Sequence, residues 1–333
     1  MYLGIDIGTS GVKVCAINGS GAVAATGHAP LAIAHPFAEA SEQDPAAWWA
    51  AVVTATGQLD PATRARVRGI GLSGQMHGAV VLDAAHAPIR PAILWNDGRA
   101  VAECAEMAEC VPHIGQLTGA PPMPGFTAPK LLWMSRHEPR THARIAHVLL
   151  PKDYVGLRLH GECVTDPSDA AGSGWLDQAT RAWSSEICGI SATDAAWLPD
   201  IRPGTDIAGR LRPEAADTLG LARGIPVATG AGDAAAGAVG LGACDAGDGF
   251  LSLGTSGQLF VTTADYRPNP DSLVHAYAHT LERRYFQMAA MLNGARPMAW
   301  LADLLNRPVA ALLDDAAAAE PGPLFLPYLT GER

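Results

Sequence analysis

Charge is scarce in this sequence, and cysteine is scarcer. Only 17% of the 333 residues are Asp, Glu, Lys or Arg, and 33 acids against 23 bases leave a net charge of −10 with no basic run to oppose it. Such a chain repels a phosphate backbone, which excludes a nucleic-acid partner. The six cysteines (Cys15, Cys104, Cys110, Cys163, Cys188, Cys244) include no C-x-x-C pair and are too sparse to staple a chain of this length, as expected in a reducing cytoplasm. No apolar run approaches the ~18 residues of a membrane helix. The opening stretch holds Asp6 among its apolar residues and has no basic lead-in, so neither export nor a membrane anchor is expected. No G-x-x-x-x-G-K-S/T loop occurs, which excludes a P-loop enzyme.

Apolar residues are plentiful at 48%, enough to bury the core of one large domain or two ordinary ones. The first thirty residues read as a meander: apolar stretches at 2–7, 12–17 and 22 onward, separated by Gly8-Thr9-Ser10-Gly11 and Asn18-Gly19-Ser20-Gly21. Asp44-Pro45 is a helix start, cap and then proline, and the helix it opens turns Trp48 and Trp49 about 100° apart, one toward the core and one toward a neighbour. Strands are expected at 67–72, 79–82, 91–95, 226–230, 250–253 and 258–263, and helices at 98–110, 129–137, 234–242 and 310–320. The class is α/β. Gly8-Thr9-Ser10-Gly11 recurs as Gly254-Thr255-Ser256-Gly257, again between two strands, which predicts two related lobes: residues 1–245, and 246–333 after a glycine-flanked junction at 245–249.

A Gly-Thr-Ser-Gly turn is either an ordinary hairpin turn or a concavity in which backbone N–H groups and hydroxyls hold an anion. Two identical turns, one per lobe, favour the second reading and make Gly8, Thr9, Ser10, Gly254, Thr255 and Ser256 phosphate-binding candidates, with Lys13 adding positive charge. Asp6, just before the first turn, would repel a phosphate unless a cation lay between, which points to Mg²⁺. Asp233 follows Gly230-Ala231-Gly232 and opens a helix, whose N–H groups are expected to hold its pKa down, ready to take a proton from an attacking hydroxyl. Gly230-x-Gly232-x-x-Ala235 also matches a relaxed dinucleotide fingerprint, but Asp233 would then stand where the pyrophosphate rests. His275 and His279 have no third ligand nearby in sequence, which argues against zinc. Two polar clusters after strands, Gln75-Met76-His77 and Trp95-Asn96-Asp97, carry the fixed hydrogen-bond partners and the aromatic face that a polyhydroxylated ligand needs.

Gly4-Ile5-Asp6-Ile7-Gly8-Thr9-Ser10, Gly74-Gln75-Met76-His77-Gly78, Trp95-Asn96-Asp97-Gly98-Arg99, Asp169-Ala170-Ala171-Gly172, Gly232-Asp233 and Leu253-Gly254-Thr255-Ser256-Gly257 together resemble the FGGY carbohydrate kinases, most closely their xylulokinase-like branch. The resemblance runs in order through the whole chain. It implies two ribonuclease-H-like lobes around a cleft, ATP and Mg²⁺ as cofactors, and phosphoryl transfer to a ketopentose, D-xylulose first. It implies Asp233 as catalytic base, Asp6 and Asp233 at the metal, Gln75, Met76, His77, Trp95, Asn96 and Asp97 around the sugar, and both Gly-Thr-Ser-Gly turns on the nucleotide phosphates. The expected partners are a sugar and a nucleotide, in a cytoplasmic protein compatible with a homodimer. Two departures stand out: Ala234 replaces an Asn frequent beside the catalytic Asp, and the sequence reaches Arg333 before the family's adenine-binding glycine-rich segment, so the second lobe is expected to be incomplete. The alternatives are a ribulose, gluconate or glycerol type of kinase, or a non-catalytic sugar sensor of the same fold.

Overall fold

The computed structural model describes residues 1–254, 257–291, 293–320 and 322–328. The opening meander forms as the pattern predicts. Strands β1 (Tyr2–Ile7), β2 (Gly11–Ile17) and β3 (Val23–Pro30) pair antiparallel in sequence order. Period-two alternation sends Leu3, Ile5 and Ile7 of β1 and Val12, Val14 and Ala16 of β2 into the core, all at most 2% exposed. Asp6 and Lys13, which face each other in the register, are left on the opposite side of the sheet.

Two later segments lie alongside β1 and run parallel to it. Strand Ile70–Gly74 pairs with β1, setting Asp6 against Ser73, and Ala231–Gly232 pairs with Ile70–Gly74 in turn. With Pro226–Ala228 and Ile207–Arg210 they complete a seven-stranded sheet. The carboxyl ends of three parallel strands therefore meet at one edge and deliver Gly8-Thr9, Gln75-Met76-His77 and Asp233 to one place. Ligands of open α/β sheets bind at such an edge.

The core behind this sheet is closed by helix α1 (Pro45–Gly57) and helix Pro151–His160. Asp44 caps α1 by accepting the Ala46 N–H at 2.9 Å. Trp48, fully buried, meets Tyr154 edge-on with ring centroids 6.3 Å apart. Trp49 is half-buried and carries the Arg158 guanidinium 5.0 Å above its ring. The two rings thus divide between core and neighbour as their angular spacing requires.

The second sheet is antiparallel, in the order Gly249–Leu253, Gly257–Thr263, Tyr285–Met291, His275–Ala278. Its inner residues Phe260, Tyr277 and Phe286 share a core with Met76, Phe126 and Ala235 of the first unit. The 245–249 junction is tied to the sheet, since the Gly247 N–H donates to the Thr262 carbonyl at 2.9 Å and the Thr262 N–H to the Asp248 carbonyl at 2.8 Å. On the opposite face Leu251, Leu253 and Leu259 are more than half exposed. Among the described residues no helix is long and apolar enough to cross a membrane.

Candidate active site

A buried relay of polar side chains runs from the core to the strand ends. The Trp48 indole N–H donates to Gln43 Oε1 at 2.9 Å, and Gln43 Nε2 donates to the Thr9 carbonyl at 2.8 Å. Gln75 Nε2 donates to the same Gln43 oxygen at 3.1 Å, the Thr9 hydroxyl donates to Gln75 Oε1 at 2.8 Å, and the Trp95 indole N–H donates to the Thr9 hydroxyl at 2.9 Å. Two of the residues expected at the ligands, Gln75 and Thr9, are hydrogen-bonded within this relay. The Gln75 amide, 2% exposed, is engaged on both ends by protein and stands behind the site. The Thr9 hydroxyl is the acceptor for the Trp95 indole and a donor to Gln75. The Gly8 N–H is likewise engaged, donating to the Gly11 carbonyl at 3.1 Å and closing the turn. Ser10 and Lys13 of that group are exposed.

Asp97 is also a support. Its Oδ2 accepts the Ser41 N–H at 2.7 Å and Arg99 Nη2 at 2.8 Å, while Oδ1 accepts both the Arg99 N–H and Arg99 Nε. With both oxygens engaged, the carboxylate pins the Trp95-Asn96 turn. Asn96 itself is exposed, on the rim of a 510 Å³ hollow with Trp95, Pro122 and Phe126.

His77 is held from several sides. Its backbone is left-handed, φ 69°, a region that a residue with a Cβ enters only at a cost. Its carbonyl accepts the Lys130 ammonium at 2.9 Å and the Thr127 hydroxyl at 3.1 Å. The ring stacks on Phe126 at 4.9 Å, and its Nδ1–H donates to the Gly172 carbonyl. Gly172 permits the approach: a Cβ there would lie 2.6 Å from His77 Nδ1 and 2.9 Å from Met76 Cε. Lys130, fully buried, is pushed down to about 7 by its removal from water, despite support from Asp97.

Asp233 is the first residue of helix Asp233–Leu241, with Gly232 as the cap. The start is fixed from below: the Gly232 N–H donates to the Ser168 hydroxyl at 3.1 Å, and that hydroxyl donates to Asp166. The expected low pKa is reversed. The Ala234 N–H does donate to Asp233 Oδ1 at 2.8 Å, but enclosure by protein pushes the carboxyl up to about 6, and the charge of Asp6 adds to the rise. As a residue Asp233 is nevertheless exposed, so its carboxyl lies among crowding protein atoms at an open cleft and not in a sealed one. Burial raises Asp6 as well, against the opposing pull of Lys13 and a hydrogen bond from Ser73.

Beneath lies a cluster the sequence reading missed. Lys152, fully buried, pairs with Asp153, with Asp166 at 3.3 Å and with Asp169 at 3.6 Å. Burial alone would lower its pKa, but the three carboxylates outweigh that and hold it above the usual value. Burial keeps Asp169 well above the carboxylate range even beside Lys152. The Lys152-Asp153 pair inside the largely apolar stretch 148–159 was the available signal.

Two separate cavities open beside these strands, one at their carboxyl ends and one along residues 4–6 and 71–73. One, 180 Å³, is lined by Thr9, Met76, His77, Trp95 and Asp233, and by Gly257, the last residue of the second Gly-Thr-Ser-Gly turn. The other, 550 Å³, is lined by Asp6, Lys13, Ser73, Gly230 and Thr280 among others. Asp233 belongs to the first and Asp6 to the second. His275, set aside in the sequence, also lines the first. Gly254 is exposed and its carbonyl accepts the Ala295 N–H at 2.7 Å, while Thr255 and Ser256 lie outside the described residues.

Comparison with known proteins gives one consistent picture. The model of the N-terminal domain of the FGGY family of carbohydrate kinases matches residues 1–240. The xylulose kinase of Escherichia coli (strain K12) is 46% identical over 342 residues, covering all of this chain and 70% of that protein. The xylulose kinase of Klebsiella pneumoniae is 46% identical over 338 residues with the same coverage. A crystal structure of a xyloylose kinase from Brucella ovis superposes with a TM-score of 0.95 at 43% identity, over all of this chain and 70% of that one.

Proposed function

We propose that this chain, which belongs to the FGGY family of carbohydrate kinases and is a sugar kinase, transfers the γ-phosphoryl group of ATP to the 5-hydroxyl of a 2-ketopentose, D-xylulose before others, with Asp233 as general base. The observation that carries the reading is the position of Asp233. Its carboxylate shares a 180 Å³ cavity with Met76, His77 and Trp95, and beyond it lies the cavity lined by Asp6 and Lys13. A sugar in the first and a phosphoryl donor in the second would present hydroxyl and phosphorus to each other beside this carboxylate. The hydroxyl oxygen forms its bond to phosphorus as the bond to the leaving ADP oxygen breaks, and the hydroxyl proton passes to Asp233. A base with its pKa pushed up to about 6 is still ionised at neutral pH and holds a captured proton better than an ordinary carboxylate.

The sugar contacts assigned here are Met76, His77, Trp95 and Asn96, with Gln75, Asp97 and Thr9 as their supports. Asp6 and Asp233 are the residues that would hold a divalent cation, since hard carboxylate oxygens completed by water and phosphate oxygens suit Mg²⁺. Bound there, the ion would offset negative charge on the phosphoryl oxygens.

A panel of D-xylulose, D-ribulose, gluconate and glycerol in an ADP-release assay tests the reading. The expected result is sugar-dependent ADP release with D-xylulose preferred by at least tenfold in kcat/KM, lowered ~10² to 10⁴-fold in kcat by Asp233→Ala. Preference for gluconate or glycerol would overturn the assigned acceptor, and near-normal turnover in the variant would overturn the base.

A further inference from the structure

Away from the cleft, three side chains from separate segments converge. His86 sits in the turn after strand Val80–Leu82, His147 begins strand His147–Leu149, and Cys163 precedes strand Val164–Thr165. His86 Nε2 lies 3.9 Å from Cys163 Sγ, the two imidazoles meet edge-on with centroids 4.7 Å apart, and one ligand atom from each of the three residues falls within 4.8 Å of the others. Zinc–nitrogen and zinc–sulfur bonds of about 2.0 and 2.3 Å place neighbouring tetrahedral ligands roughly 3.4 to 3.6 Å apart. The His86–Cys163 pair is close to that spacing already, and the widest gap closes by about 1.3 Å, within reach of small χ rotations.

The backbone holds the three in place. Asp83 Oδ1 accepts the Ala85 and Ala87 N–H groups at 2.9 and 3.0 Å, and the His86 N–H donates to the Asp83 carbonyl at 2.9 Å. This turn keeps His86 in the left-handed region, φ 62°, which few residues with a Cβ occupy. Pairing of Leu82 with His147 puts the turn beside the second imidazole. The Cys163 carbonyl accepts the Asp200 N–H at 3.1 Å, fixing the third segment. His86 is exposed and the other two are half-buried, so an ion can reach them.

We propose that His86, His147 and Cys163 form a binding site for a late first-row divalent cation, zinc first, with water as the fourth ligand. Two imidazoles and a thiolate are a borderline-to-soft donor set, which separates this site from the all-oxygen pair Asp6 and Asp233 and selects against Mg²⁺. Binding displaces the Cys163 thiol proton to solvent, and the ion then ties together three segments whose ligands lie up to 77 residues apart in the chain.

Co²⁺ titration of the chelator-treated protein, followed by absorbance in the presence of excess Mg²⁺, tests this. One equivalent is expected to give the thiolate-to-cobalt charge-transfer band and the intense visible bands of tetrahedral Co²⁺, both erased by one equivalent of Zn²⁺. Cys163→Ser should abolish the charge-transfer band, and His86→Asn, at an exposed position, should weaken Co²⁺ at least tenfold while kinase turnover in both variants stays unchanged. Circular dichroism confirms that each variant is folded. No charge-transfer band in the parent protein, or a band and affinity that survive both substitutions, would overturn the proposal.

Discussion

The pKa of Asp233 can be read from the acid limb of the pH–rate profile. The protein around it pushes its carboxyl up to about 6 from an ordinary 3.8, and only the ionised form accepts the hydroxyl proton. At pH 7.5 a group with that pKa is about 97% ionised, and at pH 5 about 9%, so kcat/KM for the sugar should fall roughly tenfold between the two. An unshifted carboxylate would still be about 94% ionised at pH 5 and would lose almost nothing. Asp6 is raised too and its charge adds to the rise of Asp233, so the limb belongs to the pair and spreads over a wider pH range than that of a single isolated carboxyl. The assay is initial-rate kinetics from pH 4.5 to 8.5 at fixed ionic strength, with Asp233→Asn giving the background. A flat profile down to pH 5, or the same limb in the residual activity of Asp233→Asn, refutes the reasoning.

Much of the fold was legible because its signals are local. Alternation in 2–17, the capped start at Asp44-Pro45 and the glycine turns fix elements wherever the rest of the chain lies. The polar clusters at strand ends were legible for the same reason: Met76, His77 and Asp233 stand out against apolar strands that the parallel pairing brings together, and Trp95 joins them through its indole bond to Thr9. What local reading could not show is which polar group is already engaged. Gln75 and Asp97 have the chemistry of sugar ligands, but their partners Gln43, Thr9, Ser41 and Arg99 come from other parts of the chain.

Electrostatics was the other blind spot. A helix start lowers the pKa of an aspartate through groups within one turn, whereas the enclosure that raises Asp233 comes from the whole cleft. The tertiary contribution is larger here. Lys130 and Lys152 were missed because a lysine is read by default as a surface residue, and only the structure shows each fully buried among fixed acceptors.

The other side chains around the site give three further expectations. Gly172→Ala places a Cβ 2.6 Å from His77 Nδ1 and should raise the sugar KM at least tenfold with kcat less affected, as steady-state kinetics would show; an unchanged KM would remove His77 from the sugar site. Lys152→Met leaves three buried carboxylates without their cation and should cost about 3 to 5 kcal/mol in denaturant unfolding, whereas a loss under 1 kcal/mol would mean that those carboxyls are already protonated. Thr9→Val separates the two roles open to the first turn. Valine keeps the shape of threonine but removes both the donor to Gln75 and the acceptor of the Trp95 indole, and each buried partner left unsatisfied costs about 1 to 3 kcal/mol. If the hydroxyl orients Trp95, as the hydrogen bonds indicate, the loss falls on the sugar KM and the ATP KM stays within about twofold. A rise confined to the ATP KM would return Thr9 to the phosphates, because the Gly8 N–H is already engaged in the turn and the hydroxyl would then be a donor that the turn offers to an anion.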